Sequence, residues 1–246
     1  MKQLAGDWLP TRSLFKPGEN PFVTPANLPA FFGDVSQVGL YLAIGGPPDA
    51  PLVGYFKSYR SIIPVIHTNE TKGFHGNDYF VWADPSEARD MVDIILGELV
   101  KLDPAHAEAM SVRALELKKQ YNTEFLREGV AVNSGLKRTF FAISPSTLYP
   151  LDRLHVQAIH TFATSVPGTP LTADQFAQAL ESLKSAEPPP IVTYTRYDNL
   201  DDVKRLADSA HAGLLELLLF PDDLKPGATL VDMYKENVRR ILEADR

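Results

Sequence analysis

Cysteine is absent from all 246 residues. No disulfide framework and no thiolate chemistry are therefore available, and every cysteine-based zinc site is excluded. An excess of positive charge is also lacking: 24 Lys and Arg stand against 31 Asp and Glu, a formal net charge of -7. Duplex nucleic acid is then excluded as a partner, because that task needs a basic field facing phosphates. No apolar run approaches the roughly 20 residues that span a bilayer. The opening MKQLAGDWLP carries no apolar core of a signal peptide. Two readings fit that absence, a cytoplasmic protein or a chain whose export signal has been removed.

Catalytic strings are missing too. There is no HExxH, and no GxSxG elbow surrounds Ser144 to make it a nucleophile. Gly45-Gly46 follows an apolar run, as in phosphate-binding loops, but Pro47-Pro48 removes two backbone donors and no Lys-Ser/Thr follows. No constellation supports an enzyme, and no cofactor is expected. Asp198, Asp201 and Asp202 stand together at an expected helix start, where acids favour the dipole, so capping is the expected role. Asp222-Asp223 beside Pro221 reads as a turn.

What is present is a substantial apolar fraction, 44%, and 20 prolines that break the first half into short pieces. Residues 38–44 and 62–66 have the length and β-branched content of buried strands. Pro85 suits a first helical turn with Asp84 as N-cap, and apolar residues at 88, 91, 94, 95, 99 and 102 follow at helical spacing. Leu102-Asp103-Pro104 ends that helix and starts a second, with Asp103 as its cap, running to Gly129. A helical hairpin or a long spine is expected.

From residue 137 the pattern alternates. Strands are predicted at 139–143, 156–159, 190–194 and 214–220. Short or full helices are predicted at 150–154, 171–186 with Thr172 as cap, 199–210, and 230–244. Strict strand–helix alternation implies a parallel sheet with helices on both faces, and its ligand site lies beyond the carboxyl ends of the strands.

Four stretches carry a family resemblance: AGDWLPTRSLFKPGENPF (5–22), NDYFVWADPSEARD (77–90) with LDPAH (102–106), FFAISPSTLYPLDRL (140–154), and LLLFPDDLKPGATLVDMYKENVRRI (217–241). Together they resemble the zinc- and manganese-binding solute-binding proteins of bacterial ABC transporters. The resemblance implies an α/β fold of two lobes with parallel sheets flanked by helices, joined by a long interlobe helix, as in class III solute-binding proteins. It divides the chain into an N-terminal lobe at 1–84, interlobe helices at 85–128 and a C-terminal α/β lobe at 129–246. The first strand and most of the first helix of the family have no counterpart, so the first lobe is expected to be truncated at its start. A periplasmic or otherwise extracytoplasmic location, a monomer, and an ABC transporter membrane subunit as partner are further implications.

The ligands that the resemblance would transfer are not there. The three histidine positions of the family fall on Phe22, Phe80 and Ser144, and the acidic position falls on Phe220. A phenyl ring has no lone pair for a cation, and a neutral serine hydroxyl is a poor zinc donor. The inherited metal site is expected to be abolished. His67 and His75, eight apart with Glu70 between them, offer a weak alternative site or two solvated loop histidines. On the fold that the resemblance implies, Phe22, Phe80, Ser144, Tyr194, Arg196 and Phe220 line the cleft. Aromatic walls with one guanidinium suit a small organic solute with an apolar body and an anionic group. The competing reading is a non-transporting accessory protein whose cleft the phenylalanines fill and hold shut.

Overall fold

The computed structural model describes residues 40–43, 54, 65–67, 81–133, 136–154, 156, 158–160 and 168–246. The chain divides into two compact units, residues 1–82 with 86–120, and residues 83–85 with 121–246.

In the first unit, β1 (Tyr41–Ala43) pairs in parallel with β2 (Val65–His67), Tyr41 against Val65. β1 falls inside an apolar run that the sequence marks as a strand, and β2 overlaps the end of the other and runs on to His67. A short 3-10 turn at Val81–Ala83 leads into α1 (Pro85–Leu102), which opens on the proline as its composition requires. Ala88, Val92 and Leu99 form its buried stripe. The helix ends before Asp103-Pro104, and α2 (Ala107–Asn133) follows after one 3-10 turn, belonging to this unit as far as Gln120 and to the second unit from Tyr121. Met110, Ala114 and Leu117 are buried on the second helix, and Lys118 Nζ meets Asp93 Oδ2 at 2.6 Å, an ion pair that links the two helices.

Two details depart from expectation. Asp103 makes no side-chain cap; its Oδ2 lies 2.7 Å from His106 Nδ1 instead, because the histidine one turn on competes for the same carboxylate. The second helix passes through Gly129 to Asn133. A single glycine costs about 1 kcal/mol relative to alanine, too little to stop a long helix.

The second unit is built on a four-stranded parallel sheet in the order β4-β3-β5-β6, with β3 at Phe140–Ala142, β4 at Ala158–His160, β5 at Ile191–Tyr194 and β6 at Gly213–Glu216. Phe141 lies opposite Ile159 and Val192, and Val192 opposite Leu214. Between the strands run α3 (Pro145–Arg153), α4 (Ala173–Lys184) and α5 (Leu200–Ala210). A short turn of helix, α6 (Pro221–Leu224), and the closing α7 (Leu230–Ala244) follow β6. Phe141, Ile143 and Val192 turn to one face, where Ala179, Leu183, Val203 and Leu206 from α4 and α5 cover them. Phe140 and Ala142 alternate to the other face and are as inaccessible, so both faces are covered, as a parallel sheet requires.

The caps follow local chemistry. Thr172 and Gln175 form a reciprocal capping box on α4, Asn199 caps α5 through Asp202 N, and Thr229 with Asp232 caps α7. Predicted helix 150–154 begins earlier, at Pro145, with Pro150 inside it. Pro145 is well suited to a first turn, and Pro150 sits late enough in nine residues to cost a single hydrogen bond. The last predicted strand is shorter than expected. After Glu216 the segment Leu217–Leu219 stays buried, and Asn237 of α7 takes over its pairing through Leu218 N at 2.8 Å and Leu218 O at 2.9 Å.

Candidate functional site

Strand order places the site. From β3 the chain crosses to β4 on one side, then returns to β5 on the other side of β3. Adjacent parallel strands whose connections depart in opposite directions leave a crevice beyond their carboxyl ends, and ligands of open α/β sheets bind there. Ser144 follows β3 at this point, and Thr195, Arg196, Tyr197 and Asp198 follow β5.

The carboxyl end of the sheet between β3 and β5 is polar and buried. Ser144, Ser146, Thr195 and Asp198 are all 5% exposed or less. Asp198 Oδ2 accepts from Thr195 N at 2.7 Å, from Thr195 Oγ1 at 3.0 Å and from Ser144 Oγ at 3.4 Å. Ser144 Oγ also lies 2.6 Å from Ser146 Oγ. The other carboxylate oxygen, Oδ1, is inaccessible and has no hydrogen-bond partner among the described residues. Burial pushes the Asp198 carboxyl above the usual carboxylate range, against the opposing pull of the Thr195 and Ser144 donors. The expected helix-capping role does not hold for this aspartate. Asn199 is the cap, because its side chain reaches Asp202 N, and Asp198 is turned inward.

The rim is built by Asp223. Its Oδ2 accepts from Phe220 N at 2.9 Å and Leu219 N at 3.2 Å, and its Oδ1 from Tyr197 OH at 2.7 Å. Arg196 Nη1 stands 3.5 Å from the same Oδ1. One carboxylate thus ties the loop after β5 to the segment after β6. The Tyr197 and Phe220 rings meet edge to face, with centroids 5.4 Å apart at 89°. Burial, and next the hydrogen bond to Asp223, push the Tyr197 phenol far above its ordinary value.

Of the residues singled out from sequence, Ser144, Arg196 and Phe220 fall on this edge, linked through Asp198, Thr195, Tyr197 and Asp223. Tyr194 points the other way along the pleat and packs against the cluster under α4 and α5; burial, then the Glu216 charge, raise its phenol pKa. Phe22, Phe80 and His75 lie outside the described residues, and His67 is described only as the last residue of β2. Among the described residues no group of three or more His, Asp or Glu is placed to hold a metal ion.

Sequence reasoning missed Thr195, Tyr197, Asp198 and Asp223. A signal existed for the first three: polar residues directly after a buried apolar strand are where an α/β sheet keeps its site. Asp223, read as part of a turn, does close that turn, yet its second oxygen reaches a loop 26 residues earlier in the chain.

A family model described as the periplasmic component A of the zinc-uptake complex matches residues 1–244. Solved structures agree over the whole chain. A ZnuA crystal structure superposes with a TM-score of 0.80 at 17% identity, covering 100% of this chain and 94% of that one. The cadmium-bound periplasmic metal-binding protein of Candidatus Liberibacter asiaticus gives 0.82 at 14%, with 100% and 94% covered. The solute-binding protein FpvC of Pseudomonas aeruginosa, in complex with Mn2+, gives 0.82 at 17%, with 99% and 93% covered. No curated protein matches the sequence.

Proposed function

Since this chain belongs to the zinc-uptake component A family of periplasmic solute-binding proteins, we propose that it is the extracytoplasmic binding protein of an ABC-type importer whose solute is not a metal ion held at the ligand positions of the family. The solved relatives are described with cadmium, manganese or nickel bound. A cation needs donors, and the replaced positions supply almost none. The carrying observation is Phe220: where the resemblance puts an acidic ligand, a phenyl ring stands edge-on against Tyr197. Ser144, at a histidine position, has its hydroxyl committed to Ser146 and Asp198. The carboxylate nearest Phe220, that of Asp223, is spent on four protein donors. Rings and a guanidinium fit an organic solute better than a bare cation.

The test is metal analysis of the purified chain by mass spectrometry, followed by equilibrium dialysis against zinc and manganese. The expected result is substoichiometric metal with no saturable tight site. A tightly held zinc ion in every chain, lost on changing a residue of this edge, would sink the proposal.

A further inference from the structure

We infer that Arg196 is an anion-recognition residue, set in place by Asp223, and that the solute carries a carboxylate. The inference rests on the reading of the chain as a solute-binding protein and adds the chemical class of its ligand.

The geometry is that of an arginine held from behind. Asp223 is nearly inaccessible, its side chain 3% exposed, and is anchored by two backbone amides and the Tyr197 hydroxyl. It contacts the guanidinium through Nη1 alone, at 3.5 Å. Arg196 itself is half exposed, 48%, and its Nε and Nη2 make no hydrogen bond among the described residues. Those two nitrogens form the edge that pairs bidentately with a carboxylate. The weak, single contact to Asp223 restrains the side chain without consuming that edge. With four donors around it, the Asp223 charge is spread, and the exposed Asp222 accepts from Gly227 N at 3.3 Å, turned to the following loop. The Tyr197 hydroxyl donates to the same Asp223 oxygen that Arg196 faces, which fixes the loop from which the guanidinium extends.

The experiment is calorimetric titration of the full chain at low salt with phenylacetate and hexanoate, and with their uncharged amides. The expected result is that the acids bind and the amides do not. Arg196→Lys, which keeps the charge but removes the fork, should weaken acid binding roughly ten- to a hundredfold, the range set by charged hydrogen bonds. Asp223→Asn should weaken it less and leave the preference for acid over amide intact. Absence of binding by both acids, equal binding of acid and amide, or undiminished binding by Arg196→Lys would overturn the inference. Zinc content measured on the same preparation separates the two failures. Tight zinc defeats the proposed function, whereas no zinc and no acid binding defeats only the role of Arg196.

Discussion

Asp198 allows a sharp test of how the floor of the site is held. Its Oδ2 takes three donors while Oδ1, equally buried, takes none among the described residues. Removing the carboxyl with Asp198→Ala leaves the Thr195 amide without its 2.7 Å partner in an inaccessible position. The Ser144 hydroxyl keeps Ser146, and the Thr195 hydroxyl can rotate, so the cost is set mainly by one orphaned amide and one lost hydroxyl bond. An unsatisfied buried donor costs about 1–3 kcal/mol and a typical hydrogen bond about 1 kcal/mol, so a loss of roughly 2–4 kcal/mol is expected. Asp198→Asn should behave differently. It keeps an acceptor for Thr195 and removes the desolvated charge.

The pH dependence follows from the raised carboxyl. The folded chain holds this proton more tightly than the unfolded chain. The associated stability is therefore fully present below the unfolded value near 3.8 and is lost as pH rises through the higher folded value. Wild type should lose ground to Asp198→Asn as pH rises from acid to neutral, and Asp198→Asn should match or exceed it near pH 7. Thermal melts followed by circular dichroism across that range measure both variants. If Asp198→Asn were clearly less stable than wild type at neutral pH, with a gap that widened on raising the pH, the carboxylate would be stabilising as an anion and the reasoning would fail.

Two further outcomes test the frame around the site. Asn237→Ala should lower stability by about 2–4 kcal/mol, because it strips both the amide and the carbonyl of buried Leu218 of their partners; Asn237→Asp should be worse at neutral pH than in acid, since a carboxylate cannot donate to Leu218 O. Leu206→Ala empties a fully buried position between α5 and the sheet and should cost about 2–5 kcal/mol in chemical denaturation, with little change in far-ultraviolet circular dichroism at low denaturant.

Much of the second unit was legible without coordinates. Thr172 announces a helix start because its side chain satisfies an orphaned amide of the first turn wherever the chain goes. The runs around Phe140–Ala142 and Ile191–Tyr194 announce buried parallel strands because only a sheet covered on both faces tolerates unbroken apolar sequence. The break at Asp103-Pro104 was equally local. These are effects of neighbours in the chain, so the chain alone carries them.

Tertiary structure decided what required distant residues to meet. Tyr194 reads as a strand-end aromatic, yet its place in the pleat sends it to the core under α4 and α5 rather than to the edge. Asp198 reads as one acid among three at a helix start; only the closeness of β3 and β5 gives it Ser144, 54 residues away, and a buried oxygen without a partner. Asp223 reads as a turn residue, and its hold on Tyr197 depends on β6 lying beside β5. By itself the sequence determined the order of strands and helices in this unit and the family, because composition and local pattern suffice for these. The tertiary structure alone decided which polar groups share the carboxyl edge of the sheet, since hydrogen bonds there join loops that only strand order brings together.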